Sequence, residues 1–366
     1  MSNKIEQLIR KSILDLSAYA VPDAAGMIKL DAMENPFSMP EKLLDSWLDA
    51  LRRVQLNRYP EAGAESLKPG FKKLFGISDN LDLSFGNGSD ELIQLLCMAV
   101  IDAPFCKGKR PAVLAPEPGF VMYRYLANAT GLDYIGVPLE AADFSLNGDS
   151  MLQAIRQHQP ALVFLAYPNN PTGNLFDDAV IAEIIKAAPG LVIIDEAYQP
   201  FAGASYLPRL REFENVLLLR TVSKLGLAGL RFGALIGPRS WLRELDKLRL
   251  PYNISSLSYA SMVFAMVHYE VFAQQARVIC NERRELYEKL RAMKDVQAWP
   301  SRANFMLFRI KSREAAAVHA HLKSQGILLK NVSHAHPLLA QCLRVTVGSA
   351  EENQAFLAAL GSFVSS

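Results

Sequence analysis

The sequence predicts an α/β protein, with a mostly parallel β-sheet wrapped by helices over roughly residues 40–250 and a smaller α+β unit after it. Two observations carry this. Short apolar runs rich in Val, Ile and Leu recur at residues 112–115, 134–139, 161–167, 191–195, 216–220 and 232–236, as strands buried on both faces require. Longer amphipathic patterns such as residues 178–188 separate them and read as crossover helices. With 366 residues, 50% of them apolar, the chain can fill one large core and a second domain.

Residues 1–35 mix charged and apolar positions without the continuous apolar stretch of a signal peptide. They are too few to fold alone, and are expected to join the small domain or to lie as an arm across a partner. The large domain is expected over residues 36–252. Its pattern breaks at Leu250, Pro251, Tyr252 and Asn253, and a long helical stretch begins near residue 256, including a charged face at 281–293. Strands at 303–310 and 342–347 and helices at 314–325 and 351–360 then compose a small domain over residues 253–366.

The composition excludes several classes. No run approaches the ~18 apolar residues that span a bilayer, so a soluble, cytoplasmic protein is expected. The 39 basic and 37 acidic residues leave a charge of +2 without long blocks of one sign, which gives no electrostatic reason to bind nucleic acid. Cys97, Cys106, Cys280 and Cys342 lie far apart with no CxxC pair, as expected of reduced, mostly buried thiols.

Ligands of open α/β sheets bind beyond the carboxyl ends of strands, so the residues after each apolar run are the candidates for chemistry. Gly86, Asn87, Gly88, Ser89 and Asp90 lead into an apolar helix at 92–100. Free N–H groups and the helix dipole there suit a phosphate, although Ser89 as a plain N-cap explains the pattern more simply. In Tyr167-Pro168-Asn169-Asn170-Pro171-Thr172-Gly173 a tight turn fixes the angle of the Asn170 amide. Asp195 closes an apolar run and, if buried, needs a cationic or hydrogen-bonding partner; otherwise it caps the next helix half-exposed. Finally, residues 221–233 read TVSKLGLAGLRFG. They form either a strand-to-helix turn with a solvated lysine, or a buried amine beside an anion cradle. Among Leu225, Leu227 and Leu230, with Arg231 close by, the amine of Lys224 would lose proton affinity. A neutral amine is the nucleophile that imine formation needs.

The order and spacing of NNPTG, DEAY and SK followed by an arginine resemble the fold-type I, aspartate-aminotransferase-like pyridoxal phosphate enzymes over nearly the whole chain. The resemblance implies a large, seven-stranded, mostly parallel sheet domain, a small C-terminal α+β domain, and pyridoxal 5′-phosphate as cofactor. It implies that Lys224 forms the Schiff base and moves the proton of transamination, and that Asp195 keeps the pyridine nitrogen protonated. Asn170 and Tyr198 would reach the ring's 3-oxygen. The phosphate would lie among Gly88, Ser89, Asp90, the hydroxyls of Thr221 and Ser223, and Arg231. Phe120 would stand against the ring face, unless it is an ordinary core residue.

Further stretches are similar to the histidinol-phosphate aminotransferases: LDAMENP at 30–36, LNRYPE at 56–61, ANF at 303–305, KNV at 330–332 and CLRVTVG at 342–348. That similarity implies histidinol phosphate and glutamate or 2-oxoglutarate as substrates, a role in histidine biosynthesis, and a homodimer in which Tyr59 reaches the neighbouring subunit's cofactor phosphate. Arg344 would receive the substrate's anionic group, with Tyr19 and Asn35 as further substrate contacts. Lys330 stands where many relatives carry an arginine; it keeps the charge but lacks the planar fork. The step from Lys224 to Arg231 is seven residues where eight is common, so a tighter loop is expected. No metal is expected, because no further ligand completes a set around His334 and His336. An aromatic or broad-range aminotransferase would share every cofactor residue, and a phosphothreonine decarboxylase keeps the same frame. A cofactor-binding transcription regulator would need a helix-turn-helix domain, for which roughly thirty leading residues leave no space.

Overall fold

The computed structural model describes residues 2–18 and 21–364. Strand β1 spans Ile28–Leu30, β2 Leu81–Asn87, β3 Ala112–Glu117, β4 Asp133–Pro138, β5 Leu162–Ala166 and β6 Leu191–Asp195. After them come β7 at Val216–Thr221, β8 at Phe232–Pro238, β9 at Val296–Ala298, β10 at Phe305–Ile310, β11 at Ile327–Asn331 and β12 at Cys342–Thr346. They form two sheets. The large one runs β2-β8-β7-β6-β5-β3-β4, and the small one β1-β11-β12-β10-β9.

The expected seven-stranded, mostly parallel sheet is borne out. β4, β3, β5, β6 and β7 pair in parallel, with Asp195 in register with Ala166 on one side and Leu219 on the other. Only β8 runs against its neighbours β7 and β2. The continuous apolar runs have a direct cause. Val163, Leu165, Val192, Ile194 and Leu218 pack into the core on one face, and Phe164, Ile193, Leu217 and Leu219 into the core on the other. Every position of β5 and β6 is buried, and all of β7 up to Arg220, so the period-2 alternation vanishes there. The helix Asp178–Ala187 shows how the covering layers attach: Asp177 caps it by accepting from Ala179 and Val180 N–H, and Ile181, Ile184 and Ile185 line its buried side.

Four strands escaped sequence reading: β1, β2, β9 and β11. β2 is the edge of the large sheet, paired only with β8, and Asp82 and Ser84 interrupt its apolar pattern. β1 and β9 are three residues long, too short for any period to show. β1 pairs in parallel with β11, which ties the N-terminal segment to the small sheet. The chain from Asp31 to Asn35 then passes between the sheets, held where Thr346 Oγ1 accepts from Met33 N–H and Asn304 Nδ2 donates to the Met33 carbonyl. Helices Ser256–Val267 and Tyr269–Ala292 connect the large sheet to the small one. Among the described residues no helix is long and apolar enough to cross a membrane.

Candidate active site

The parallel strands all deliver their C-terminal ends to one edge of the large sheet, and antiparallel β8 begins there. Thr221 pairs with Gly233, and Gly233 with Gly86, so the ends of β7 and β2 and the start of β8 are brought together by register alone. Gly233 is required by this approach. A Cβ there would lie 2.7 Å from the Gly88 carbonyl carbon and 2.8 Å from the Ser89 nitrogen. Gly88 itself has φ +86°, and a Cβ on it would meet the Arg231 guanidinium at 2.7 Å.

A cavity of about 110 Å³ opens at this edge, lined among others by Ser89, Asp90, Phe120, Asn170, Asp195, Tyr198, Thr221, Ser223, Lys224 and Arg231. The helix Ser89–Ala99 starts at its wall, where first-turn N–H groups have no partner within the helix. Opposite, Thr221 and Ser223 share a 2.8 Å contact between hydroxyls. Arg231 takes a left-handed backbone conformation, φ +48°, which turns its side chain back to Asp90 at 3.2 Å. The seven-residue step thus closes through two short 3₁₀ turns, Ser223–Leu225 and Ala228–Leu230. Together these groups make a cradle suited to a phosphate.

Lys224 lies half-buried in the cavity and donates from Nζ to the Ala32 carbonyl at 3.1 Å. Its pKa is lowered to about 8, first by desolvation and next by the charge of Arg344. Arg231, which the sequence singled out for this effect, contributes less than Arg344. The fold, not chain proximity, sets the amine's electrostatics.

Asp195 is buried at the end of β6. Burial raises its pKa to about 6, against two hydrogen bonds that hold it down: the Tyr123 hydroxyl donates to Oδ2 at 2.6 Å and Ala197 N–H to Oδ1 at 3.0 Å. Tyr123 is therefore a site residue that sequence reading missed. It stacks on Phe164 at 4.6 Å and meets Phe120 edge-on at 5.4 Å. Its one signal was position, three residues after Phe120 in the first turn of the helix Val121–Thr130. Also missed was the buried pair of Arg220 and Glu196, 2.9 Å apart, which ties β7 to the residue after Asp195. Two charges at the ends of apolar runs could have announced it.

Asn170 and Tyr198 meet directly, Asn170 Nδ2 donating to the Tyr198 hydroxyl at 3.0 Å. Arg344, buried on β12, donates to Asn170 Oδ1 at 2.6 Å and to the Asp31 carbonyl at 2.7 Å, with its guanidinium 5.4 Å from the Phe305 ring centre. It stands where the cavity meets a second chamber of about 340 Å³, which Lys330, in register with Arg344 across β11 and β12, also lines. Met33, Phe120 and Asn170 are shared by both spaces.

Two expected site residues line neither space of this chain. Asn35 lines neither space: its Nδ2 donates to the Leu225 carbonyl at 3.1 Å and to Gln275 Oε1 at 2.9 Å, and its Oδ1 accepts from Phe37 N–H. With both side-chain polar atoms bonded to protein, it clamps the loop after Lys224 and points away from both spaces. Tyr59 is 80% exposed, stacked on Tyr252 at 4.5 Å, and does not line this chain's cavity. Tyr19 lies outside the described residues.

A buried carboxylate, a lysine of lowered pKa, an anion cradle and a guanidinium facing one cleft define a pyridoxal-phosphate-type site. In agreement, residues 25–360 match the family model Aminotransferase class I and II, and the chain belongs to that family. Its similarity runs specifically to proteins named histidinol-phosphate aminotransferase. It is 49% identical to one from Nitrosococcus oceani, covering 98% of each chain, and 48% identical to one from Burkholderia lata, covering 97% of each. Its fold matches that of the Sinorhizobium meliloti histidinol-phosphate aminotransferase solved with pyridoxal-5′-phosphate, with a TM-score of 0.84, 23% identity and 98% of both chains covered.

Proposed function

We infer that this chain transfers an amino group from L-histidinol phosphate to 2-oxoglutarate, giving imidazole-acetol phosphate and L-glutamate, by a ping-pong reaction that uses pyridoxal 5′-phosphate in histidine biosynthesis. The observation that carries the chemistry is that Lys224 and Asp195 line one cavity and Arg344 lines the chamber adjoining it. The residues present fit the cofactor. Gly88, Ser89, Asp90, Thr221, Ser223 and Arg231 would hold its phosphate, Asp195 its ring nitrogen, Asn170 and Tyr198 its 3-oxygen, and Phe120 its ring face.

When bound, the cofactor supplies an electron sink for the negative charge that forms at the substrate's Cα. The protein groups do the rest. With a pKa near 8, Lys224 has a neutral fraction of about a tenth at pH 7, enough to act as nucleophile and as the base that takes the Cα proton. Asp195 presents an oxygen already oriented by Tyr123, so no reorganisation is needed as charge moves. Arg344 offers the substrate a planar fork that fits paired oxygens, whether of a carboxylate or of a phosphate. Its burial strengthens that attraction. Lys330 extends the positive field along the second chamber as a substrate-phosphate contact, and Tyr19 is placed by resemblance as a further substrate residue.

Homodimerisation is part of this reading. Leu56, Tyr59, Leu250 and Tyr252 are exposed, and the Tyr59–Tyr252 stack presents an apolar surface from which Tyr59 would reach a partner's cofactor phosphate. A cytoplasmic setting is proposed with it, as is the division into segments 1–35, 36–252 and 253–366. The assay is direct: purified protein is supplied with histidinol phosphate and 2-oxoglutarate, and glutamate is quantified. Sustained glutamate formation is expected. Carbon dioxide release from O-phosphothreonine, or turnover of phenylalanine in place of histidinol phosphate, would overturn the substrate assignment.

A further inference from the structure

The chamber beyond Arg344 has one feature that anion binding does not explain: a carboxylate built into its wall. Glu117 ends β3, and its side chain folds over Gly136 of the adjacent β4, where a Cβ would lie 2.2 Å from Oε2. Only glycine leaves room for the carboxylate there. Arg124, from the helix after Phe120, pairs with Glu117 Oε1 and lies 4.7 Å over the Tyr134 ring, which rises from β4 two residues before Gly136. The Glu117 side chain is 17% exposed, so it is fixed and largely desolvated, yet it reaches the chamber. Facing it from the small domain is His336, whose Nδ1 accepts from Leu338 N–H at 3.2 Å and whose ring senses both Glu117 and Arg124.

The two amino donors of the proposed reaction place different groups in this chamber. Glutamate brings a second carboxylate, for which Lys330 and Arg124 suffice. Histidinol phosphate brings a neutral imidazole, which carries an N–H that must find an acceptor once it leaves water. Lysine and arginine have none to give. A carboxylate offers about four acceptor lobes; Arg124 on Oε1 and the Tyr134 hydroxyl take two of them, which leaves acceptor capacity for a further N–H.

Resting on the function proposed above, we propose that Glu117 is a specificity-determining residue that accepts the imidazole N–H of the substrate, and that Arg124, Tyr134 and the missing Cβ of Gly136 hold it in place to do so. The same wall then discriminates the ring donor from a phenyl analogue of similar shape. A site built around a buried acceptor rejects a ligand that leaves the acceptor unpaired.

The test compares holoenzyme half-reactions, followed by the bound cofactor's absorbance, with histidinol phosphate and with phenylalaninol phosphate, which has the same phosphate and amine but no ring N–H. Glu117→Met, which keeps the length of the stem and removes both acceptor oxygens, is expected to lower kcat/KM for histidinol phosphate about ten- to a hundredfold, and to lower that for the phenyl analogue far less, so that the wild-type preference for imidazole collapses. Glu117→Asp keeps the charge on a shorter stem and is expected to restore part of the preference. It also provides a second variant should the first fold poorly. An equal loss on both donors, or no loss, overturns the role of Glu117 while leaving the function standing. Failure of the wild type itself on histidinol phosphate overturns the function instead.

Discussion

Replacing Lys224 with methionine in the cofactor-free protein isolates the strain that the site imposes on its amine. The folded pKa is about 8 against an ordinary 10.5. A base depressed in this way costs the folded state fully below pH 8, progressively less as pH rises toward 10.5, and nothing above it. At about 1.36 kcal/mol per unit the cost is roughly 3 kcal/mol at pH 7 and about half that at pH 9.5. Solvent reaches part of the half-buried side chain, which trims the first figure to about 2 kcal/mol. Methionine keeps the apolar stem but loses the bond from Nζ to the Ala32 carbonyl, worth about 1 kcal/mol. The apoprotein variant should therefore be more stable than wild type by about 1–2 kcal/mol at pH 7, and equal or slightly less stable at pH 9.5. Urea unfolding at one fixed protein concentration measures both values. A variant no more stable at pH 7, or a gain independent of pH, would refute the claim that the amine is held partly desolvated beside Arg344.

Two further outcomes follow from the same geometry. Tyr123→Phe removes the hydroxyl that holds the Asp195 pKa down, so Asp195 should stay protonated to higher pH; the acid limb of cofactor affinity, followed by fluorescence titration of the apoprotein, should move up by about one unit. An unmoved limb would mean that the 2.6 Å bond does not govern that carboxylate. Gly233→Ala drives a methyl group into the backbone at Gly88 and Ser89, and should weaken cofactor binding about tenfold or more while leaving the fold intact by circular dichroism. Unchanged affinity would show that β8 can yield at that point.

How much could be read from the chain depended on where each element sits. The β6 run was legible to the residue because both of its faces are covered and its whole length is apolar. β2 was not, since its edge position admits Asp82 and Ser84. In the site, Asn170, Asp195, Thr221 and Lys224 were visible because each closes or follows a strand that announces itself. Tyr123 was not, because its contact to Asp195 crosses 72 positions from a helix whose pattern reports only packing. Asn35 shows the opposite failure: an asparagine that ties backbone to backbone has the same sequence signature as one that binds substrate. The influence of Arg344 on Lys224 likewise exists only once β12 has been laid beside the large sheet.

The central claim, that these residues form an aminotransferase site for histidinol phosphate, is met most directly by a single half-reaction. Holoenzyme is mixed with histidinol phosphate in the absence of any oxo-acid, and the bound cofactor's absorbance is followed. Stoichiometric conversion from the aldehyde to the amine form, reversed by 2-oxoglutarate and abolished in Lys224→Ala, is the expected result. No conversion by histidinol phosphate, or full conversion surviving the loss of Lys224, would contradict it.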